Sequence, residues 1–151
     1  MKAPMASMVE SQWRRGSCLQ DSGVFFPDDT YIGLTPLANG TGYAAAKPEA
    51  IETSVDDDQT DWIELEPRFT AQSGEHVLSC GGTSWEGEGY VAVATHKRLL
   101  WILFLPDAEV FLEVVLQNDV LVARSEEYPF RIDWRIPLHE PQALTKRATR
   151  M

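Results

Sequence analysis

The sequence has only two cysteines, Cys18 and Cys80, and they stand far apart with no Cys-x-x-Cys pair. A disulfide framework or a cysteine zinc site would need more cysteines at closer spacing, so we expect two buried or idle thiols. Long apolar runs are also missing. The longest, Leu99 to Leu105, has seven residues, whereas a membrane helix needs about twenty. Residues 1–10 lack the apolar core of a secretory signal, so we expect a cytoplasmic protein that enters no membrane.

Motifs for metals, nucleotides and nucleophiles are missing as well. An EF-hand counted from Asp56 puts Asp61 where glycine is required and Pro67 where the bidentate glutamate is required. Glycine pairs that imitate a dinucleotide fingerprint lack the strand–glycine–helix context, and they are better explained as turn residues. Ser84 would need glycine in place of Glu86 to form a nucleophile elbow. We therefore predict no metal and no cofactor.

Three histidines stand widely separated in the sequence. A dyad of Cys18 with His76, or of Cys80 with His96, stays open as an alternative because catalytic groups assemble across a fold. No local signature supports either dyad, so the prediction is a protein that is not an enzyme.

Bases are scarce in the first half of the chain. The net charge is −10, and residues 1–75 carry 13 acids against 5 bases. From Glu49 to Glu66 there are eight acids and no base. Such a field repels nucleic acid and anionic membranes, and it attracts basic proteins or cations. Nucleic-acid binding is therefore excluded first.

What the sequence does contain is short, strand-like apolar segments. Ile63 and Leu65 alternate with glutamates, and residues 128–136 alternate in the same way, which is the period of a half-buried strand. The run Leu99 to Leu105 has no polar face and predicts a central strand covered on both sides. Asn118-Asp119 suits the positive φ angles of a tight hairpin turn. Six or seven strands with short connections predict a mainly β antiparallel meander, in the form of a curled sheet, a sandwich or an open barrel, with little helix.

The chain divides into three parts by residue composition and pattern. Residues 1–12 are expected to be a flexible N-terminal tail, residues 13–144 a single β-rich domain, and residues 145–151 a basic C-terminal tail that is loose or folds back on the acidic half. A short helix stays open for residues 44–51, where Pro48 limits its length. Pro137 is expected to close the last strand.

One candidate binding surface is the acidic cluster, as we call the eight acids from Glu49 to Glu66. Trp62 lies beside it and places an aromatic ring next to fixed carboxylates, which suits a basic partner. Two simpler alternatives are a solvated loop for the acids and a core-capping role for Trp62. The predicted partner-binding residues in this cluster are Asp56, Asp57, Asp58, Asp61, Trp62, Glu64 and Glu66.

A second candidate is the glycine-rich segment 81–89. It places Trp85, Glu86 and Glu88 in a predicted loop before a strand, and loops of this kind often bind partners. The alternative is a long hairpin connection whose tryptophan turns inward.

The C-terminal half resembles small bacterial immunity proteins that neutralise a cognate toxin. The resemblance covers residues 84–144, with Leu100-Trp101-Ile102-Leu103, a turn, Val110–Leu116, and Tyr128-Pro129-Phe130 leading to Trp134-Arg135-Ile136-Pro137. It implies one cognate toxin, tight binding and occlusion of the toxin's active site. An acidic inhibitor of this kind would face a toxin with a basic active-site surface. The alternative is a small-molecule-binding β-barrel, or an enzyme with an unrecognised site.

Overall fold

The computed structural model describes residues 7–51, 62–85 and 87–151. Within these ranges every strand pairs in antiparallel fashion, which confirms the mainly β prediction. No helix in them is long and apolar enough to cross a membrane. The elements in chain order are α1 (Met8–Arg14), β1 (Ser17–Leu19), β2 (Gly23–Phe25), β3 (Thr30–Pro36), β4 (Tyr43–Ala45), β5 (Glu49–Ala50), β6 (Trp62–Glu64), β7 (Glu66–Ser73), β8 (His76–Gly82), β9 (Gly89–Thr95), β10 (Leu99–Leu105), β11 (Phe111–Gln117), β12 (Val120–Glu127), β13 (Phe130–Pro137), a 3-10 turn (Pro141–Ala143) and β14 (Thr145–Arg150).

The strands form two main sheets. The larger sheet has the order β4-β3-β2-β10-β9-β8-β7, with β5 beside β3. The smaller sheet is a meander of β11 to β14 in sequence order, and β1 pairs separately with β6. Consecutive strands are neighbours in most of both sheets because short turns connect antiparallel strands readily.

The two main sheets face each other across one apolar core. Leu78 and Leu103 from the larger sheet lie in the same cluster as Leu121 and Trp134 from the smaller sheet. The architecture is thus a sandwich, one of the forms expected from the pattern of short strands. The indole N–H of Trp134 donates to the hydroxyl of Ser125 at 2.9 Å, so these buried polar groups are paired.

Strand β10 is covered on both sides, as its uninterrupted apolar run predicts. Leu103 faces the smaller sheet, whereas Ile102 and Phe104 pack on the other side of the larger sheet with Val9 of α1 and Ile63 of β6. All of these side chains are buried. The layer of α1, β1 and β6 is therefore what lets the larger sheet carry apolar residues on both faces.

The alternating segments also fold as predicted. Along β13, Ile132, Trp134 and Ile136 are buried, and Arg131 and Arg135 are exposed. The turn between β11 and β12 holds Asn118 and Asp119 at φ angles of 50° and 63°. A period of two places alternate side chains on opposite faces, so one face of the strand enters the core.

The described part of the predicted flexible tail, residues 7–12, differs from that prediction because residues 8–14 form α1, and residues 1–6 of the tail lie outside the described ranges. Ser7 caps the helix by accepting from the Glu10 N–H at 3.0 Å. The Asp29 carboxylate accepts from the Ser7 hydroxyl and from two backbone N–H groups at the start of the helix. Val9 is buried and the Glu10 carboxylate accepts from the Leu99 N–H at 2.7 Å, so the helix is tied to the sheet.

The C-terminal segment also differs from the expected basic tail. Residues 145–150 form β14, which pairs with β13 along its length. Pro137 ends β13, as predicted, but β13 is not the last strand. The backbone of residues 145–150 completes the smaller sheet beside β13, although the segment has no apolar pattern. A third difference lies at residues 44–51, where β4 and β5 add to β3 in place of the short helix.

Candidate functional site

The structure brings three of the predicted partner-binding residues together in one groove. This acidic groove has a volume of about 240 Å³ and contains Glu66, Trp85 and Glu88. It lies between the start of β7, the loop joining β8 to β9, and the connection from β10 to β11. The other described residues that line it are Arg68, Gly82, Thr83, Ser84, Gly87, Glu109 and Val110.

Trp85 projects outward from the β8–β9 loop, with 66% of its surface exposed. The Thr83 hydroxyl accepts from the Trp85 N–H at 3.1 Å, and Gly87 adopts a φ of 79°, which closes the turn. The alternative, in which this tryptophan turns inward, is therefore wrong. A large aromatic side chain in this position is available for contact with another molecule.

Glu88 lies beneath the loop and is only 6% exposed. The Gln20 amide donates to its two carboxylate oxygens at 3.2 and 3.1 Å. The Thr83 hydroxyl lies 3.3 Å from one of these oxygens and 3.3 Å from the Trp85 carbonyl, and its single proton serves one of them. Glu88 therefore supplies a buried negative charge to the groove and also anchors the loop that presents Trp85.

The charge of the groove is predominantly negative. Glu66 and Glu109 join Glu88, and Arg68 is the single base among the described residues that line it. Carboxylates along a concave wall attract cationic side chains, and the attraction is stronger where water is partly excluded. The geometry therefore suits a lysine or arginine presented by another protein.

Trp62 and Glu64 lie elsewhere, on β6. This strand pairs with β1, which sets Trp62 opposite Leu19 and Glu64 opposite Ser17. Glu64 is exposed and Trp62 is half-buried, and neither lines the acidic groove. The remaining predicted site residues lie outside the described ranges: Asp56, Asp57, Asp58, Asp61 and Glu86.

Sequence reasoning missed Glu109 and Gln20. Glu109 comes close because the β10–β11 connection packs on the glycine-rich strands, where a Cβ at Gly89 would lie 2.5 Å from the Glu109 carbonyl oxygen. Gln20 reaches Glu88 from 68 positions away. Neither residue carries a local signal, although the glycines that permit this close backbone approach were visible in the sequence.

The two cysteine–histidine dyads do not form. Cys18 and Cys80 are buried in separate clusters, and their thiols lie near the carbonyl oxygens of Leu19 and Phe111 at 3.5 and 3.6 Å. Burial raises the pKa of both thiols, to about 12 for Cys80, and nearby carboxylates add to the effect. Both are consequently protonated at neutral pH.

The ring Nε2 of His96 lies 3.0 Å from the Gln72 side-chain amide nitrogen. The partner of this histidine is therefore an amide and not a thiol. Across residues 7–51, 62–85 and 87–151, no three His, Cys, Asp or Glu side chains are grouped so that they could hold a metal ion. The acidic groove combines an exposed aromatic ring, Trp85, with concentrated negative charge.

Comparison with protein-family models, with curated proteins and with solved structures gives no match. Function is therefore inferred from the residues and geometry of the molecule.

Proposed function

We propose that this protein binds a basic partner protein through the acidic groove and acts as an inhibitor of the immunity type, which blocks a cognate toxin in the bacterial cytoplasm. The observation that carries the proposal is Trp85, which stands 66% exposed at the rim of a groove lined by Glu66, Glu88 and Glu109. Interfaces concentrate binding energy in such aromatic residues, and surrounding charges select the partner.

The negative charge of this protein favours a basic partner both at long range and at short range. The chain carries a net charge of −10, which attracts a basic protein from a distance and raises the association rate. At short range, the carboxylates of Glu66 and Glu109 are placed to meet lysines or arginines. An enzyme that acts on a polyanion, such as a nuclease, has basic residues of this kind in its active site.

The mechanism is steric and electrostatic. Trp85 would enter the partner's cleft and exclude water, while the groove carboxylates pair with cationic residues that normally hold the partner's substrate. Glu88 contributes indirectly because its bonds to Gln20 hold the loop in a prepared conformation. A prepared loop loses little conformational entropy on binding, which favours a tight complex.

The test is a pull-down from lysate of the source organism with five purified baits. The wild type and Tyr128→Ala should retain a basic protein in stoichiometric amount, whereas Trp85→Ala should lose it. Tyr128 is the matched control because it is another exposed aromatic residue, 90% exposed, that lies outside the groove. The wild-type complex should also weaken in about 0.5 M salt, where charges are screened beyond about 4 Å.

The fourth bait, Glu66→Gln with Glu109→Gln, tests the groove charge. Its control is Glu75→Gln with Glu140→Gln, two exposed acids outside the groove, so both double variants have a net charge of −8 in place of −10. Only Glu66→Gln with Glu109→Gln should bind the captured basic protein more slowly than the wild type does. The captured protein should lose its enzymatic activity when mixed with an equal amount of wild type. Capture that is indifferent to Trp85, or a captured enzyme that stays active, would overturn the proposal.

A further inference from the structure

The turn between β3 and β4, residues 37–42, contains Asn39, one of only two asparagines in the chain. Residues 35–41 are all exposed, and the Leu37 N–H donates to the Gly42 carbonyl at 2.9 Å, which closes the turn. Gly40 follows Asn39 with a φ of 72°, and no described atom lies within 4 Å of the position that a Cβ would take. The backbone nitrogen of Gly40 can therefore be reached without hindrance from a side chain.

The side chain of Asn39 is held against this turn. Its carbonyl oxygen, Oδ1, accepts from the Thr41 N–H at 3.1 Å and from the Thr41 hydroxyl at 2.8 Å. These bonds turn the carbonyl carbon, Cγ, toward the main chain that follows Asn39. Thr30 makes the same pair of bonds to the Asp28 carboxylate, at 3.1 and 2.6 Å, so this arrangement also holds a charged oxygen elsewhere in the fold.

These contacts suit an attack on Cγ of Asn39 by the backbone nitrogen of Gly40. As the new N–C bond forms, the electron pair of the carbonyl double bond moves to Oδ1, which becomes negatively charged. The two Thr41 donors lie at the distances from which preplaced donors stabilise an oxyanion. Because a hydrogen bond to a charged acceptor is about twice as strong as one to a neutral acceptor, these bonds stabilise the transition state more than the resting turn.

We propose that Asn39 is a site of spontaneous deamidation and that Thr41 promotes the reaction. The Gly40 N–H first leaves the Leu37 carbonyl, to which it donates at 3.0 Å, and hydroxide removes its proton. The nitrogen then bonds to Cγ, the Cγ–Nδ2 bond breaks, and the side-chain nitrogen leaves as ammonia with a proton from water. Water opens the cyclic imide at either carbonyl and gives aspartate or isoaspartate. Nothing is oxidised or reduced, and the chain gains one negative charge.

The two products differ in how they fit the turn. Aspartate at position 39 keeps the main chain unchanged, and its carboxylate can accept both Thr41 bonds, as the Asp28 carboxylate accepts two in its own turn. Isoaspartate carries the main chain through its side-chain carbonyl, which adds one carbon to the turn. The Lys146 N–H donates to the Thr41 carbonyl at 3.0 Å. Isoaspartate therefore loosens the contact that ties the start of β14 to this turn.

The test follows the wild-type protein by peptide mass spectrometry during incubation in mildly alkaline buffer. Asn39 should be converted to aspartate and isoaspartate, at a rate that rises in proportion to the hydroxide concentration. Asn118 is the internal control and should remain an amide, because the attacking nitrogen there would belong to Asp119, whose Cβ hinders its approach. In the purified isoaspartate form, the Lys146 N–H should exchange with solvent faster than in fresh protein.

A substitution at Thr41 tests the assisting hydroxyl. Thr41→Val removes the hydroxyl donor and keeps the backbone N–H. It should slow the conversion of Asn39 by about two- to tenfold, the effect of one hydrogen bond on a rate. Thr30→Val is the matched control, because it makes the same change in the Asp28 turn, and it should leave the rate at Asn39 unchanged.

A substitution at Gly40 tests the attacking nitrogen. Gly40→Ala should leave almost no product in the time that half of the wild type needs to react, because the added Cβ hinders the nitrogen. Gly74→Ala is the matched control, since Gly74 has a φ of 60° and the same open space, and it should react like the wild type. Circular dichroism first shows which variants keep the fold, and Thr41→Val remains a test if Gly40→Ala does not fold.

Four outcomes overturn the proposal. Asn39 stays an amide in the wild type, or Asn118 reacts as fast as Asn39. Thr41→Val reacts at the wild-type rate or faster, which would mean that the Thr41 bonds only restrain the side chain. The Lys146 N–H exchanges at the same rate in the isoaspartate form as in fresh protein, which would mean that β14 is not loosened.

Discussion

The Gln20 amide donates hydrogen bonds to both carboxylate oxygens of Glu88, at 3.1 and 3.2 Å, although the two residues are 68 positions apart. This contact joins the segment after β1 to the loop that presents Trp85. A carboxylate that is 6% exposed needs such partners, because removing one leaves a poorly solvated charge. The acidic groove consequently depends on the layer that covers the outer face of the larger sheet.

A double-mutant cycle should detect this coupling. We expect Gln20→Ala to lower the free energy of unfolding by about 1.5–3 kcal/mol, the range for a hydrogen bond to a charged group. With Glu88→Ala already in place, the same change should cost much less, which gives a coupling energy of about 1–3 kcal/mol in urea unfolding. Gln72→Ala is the control, because its amide bonds to an exposed histidine, His96. Additive effects of the two changes at positions 20 and 88 would contradict the anchoring role.

Stability should fall steeply in alkaline solution. Burial raises the pKa of Tyr90 to about 12, and burial together with the Asp107 carboxylate raises that of Tyr43 above its usual value of 10.0. The thiols of Cys18 and Cys80 are raised from 9.0 for the same main reason. The folded state keeps these protons where the unfolded state has lost them. Stability from these groups is thus complete below pH 9 and is lost as the pH rises toward the folded pKa values.

Between its unfolded and its folded pKa, each such group lowers the free energy of unfolding by about 1.4 kcal/mol per pH unit. Denaturant unfolding measured from pH 8 to pH 11.5 should show this decline, and Tyr43→Phe should make it shallower above pH 10. Tyr128→Phe, at a side chain that is 90% exposed, should leave the profile unchanged. A profile that is flat from pH 9 to pH 11.5 would show that these groups are not buried as the structure has them.

The two cysteines should react with a thiol reagent only when the protein unfolds. Cys80 is 0% and Cys18 2% exposed, and burial keeps both thiols protonated. With a disulfide reagent at pH 8 we expect both to react slowly in native protein and at once in denaturant. A cysteine introduced by Ser84→Cys, in the exposed β8–β9 loop, is the control and should react immediately. Rapid reaction of either native thiol in the folded protein would contradict its buried position.

Gly89 should not tolerate a side chain. A Cβ there would lie 2.5 Å from the Glu109 carbonyl oxygen and 2.8 Å from the Phe111 ring. We expect Gly89→Ala to lower the free energy of unfolding by about 1–3 kcal/mol, as overpacking does elsewhere. Gly33→Ala is the matched control, because the nearest atom to its Cβ would be 3.8 Å away. Equal stability of the two variants would mean that the β10–β11 connection does not pack on β9 as described.

The local part of the fold could be predicted from the sequence. The alternation in β13 predicts which side chains are buried, and the run Leu99 to Leu105 predicts a strand covered on two sides. These patterns succeed because the pleat of a strand alternates side chains between faces regardless of what the strand pairs with. The capping pattern Ser7-x-x-Glu10 was also present, and it would have indicated the helix that was predicted as a tail.

The pairing of strands and the assembly of the acidic groove could not be predicted from the sequence. Residues 145–150 have no apolar pattern, and they form a strand because β13 offers an edge to complete. The groove arises in the same way. Its acids and Trp85 come from the start of β7, the β8–β9 loop and the β10–β11 connection, which meet only when the sheets have formed.

The sequence by itself determined the fold class, the acidic charge, the turn at Asn118-Asp119 and the burial of alternate residues, because each depends on residues that are close in the chain. The tertiary structure alone decided that Trp85 points outward, that Trp62 lies apart from it, and that Gln20 holds Glu88. The physical reason is distance along the chain. Contacts between remote residues follow from how whole sheets pack, and no short segment carries that information.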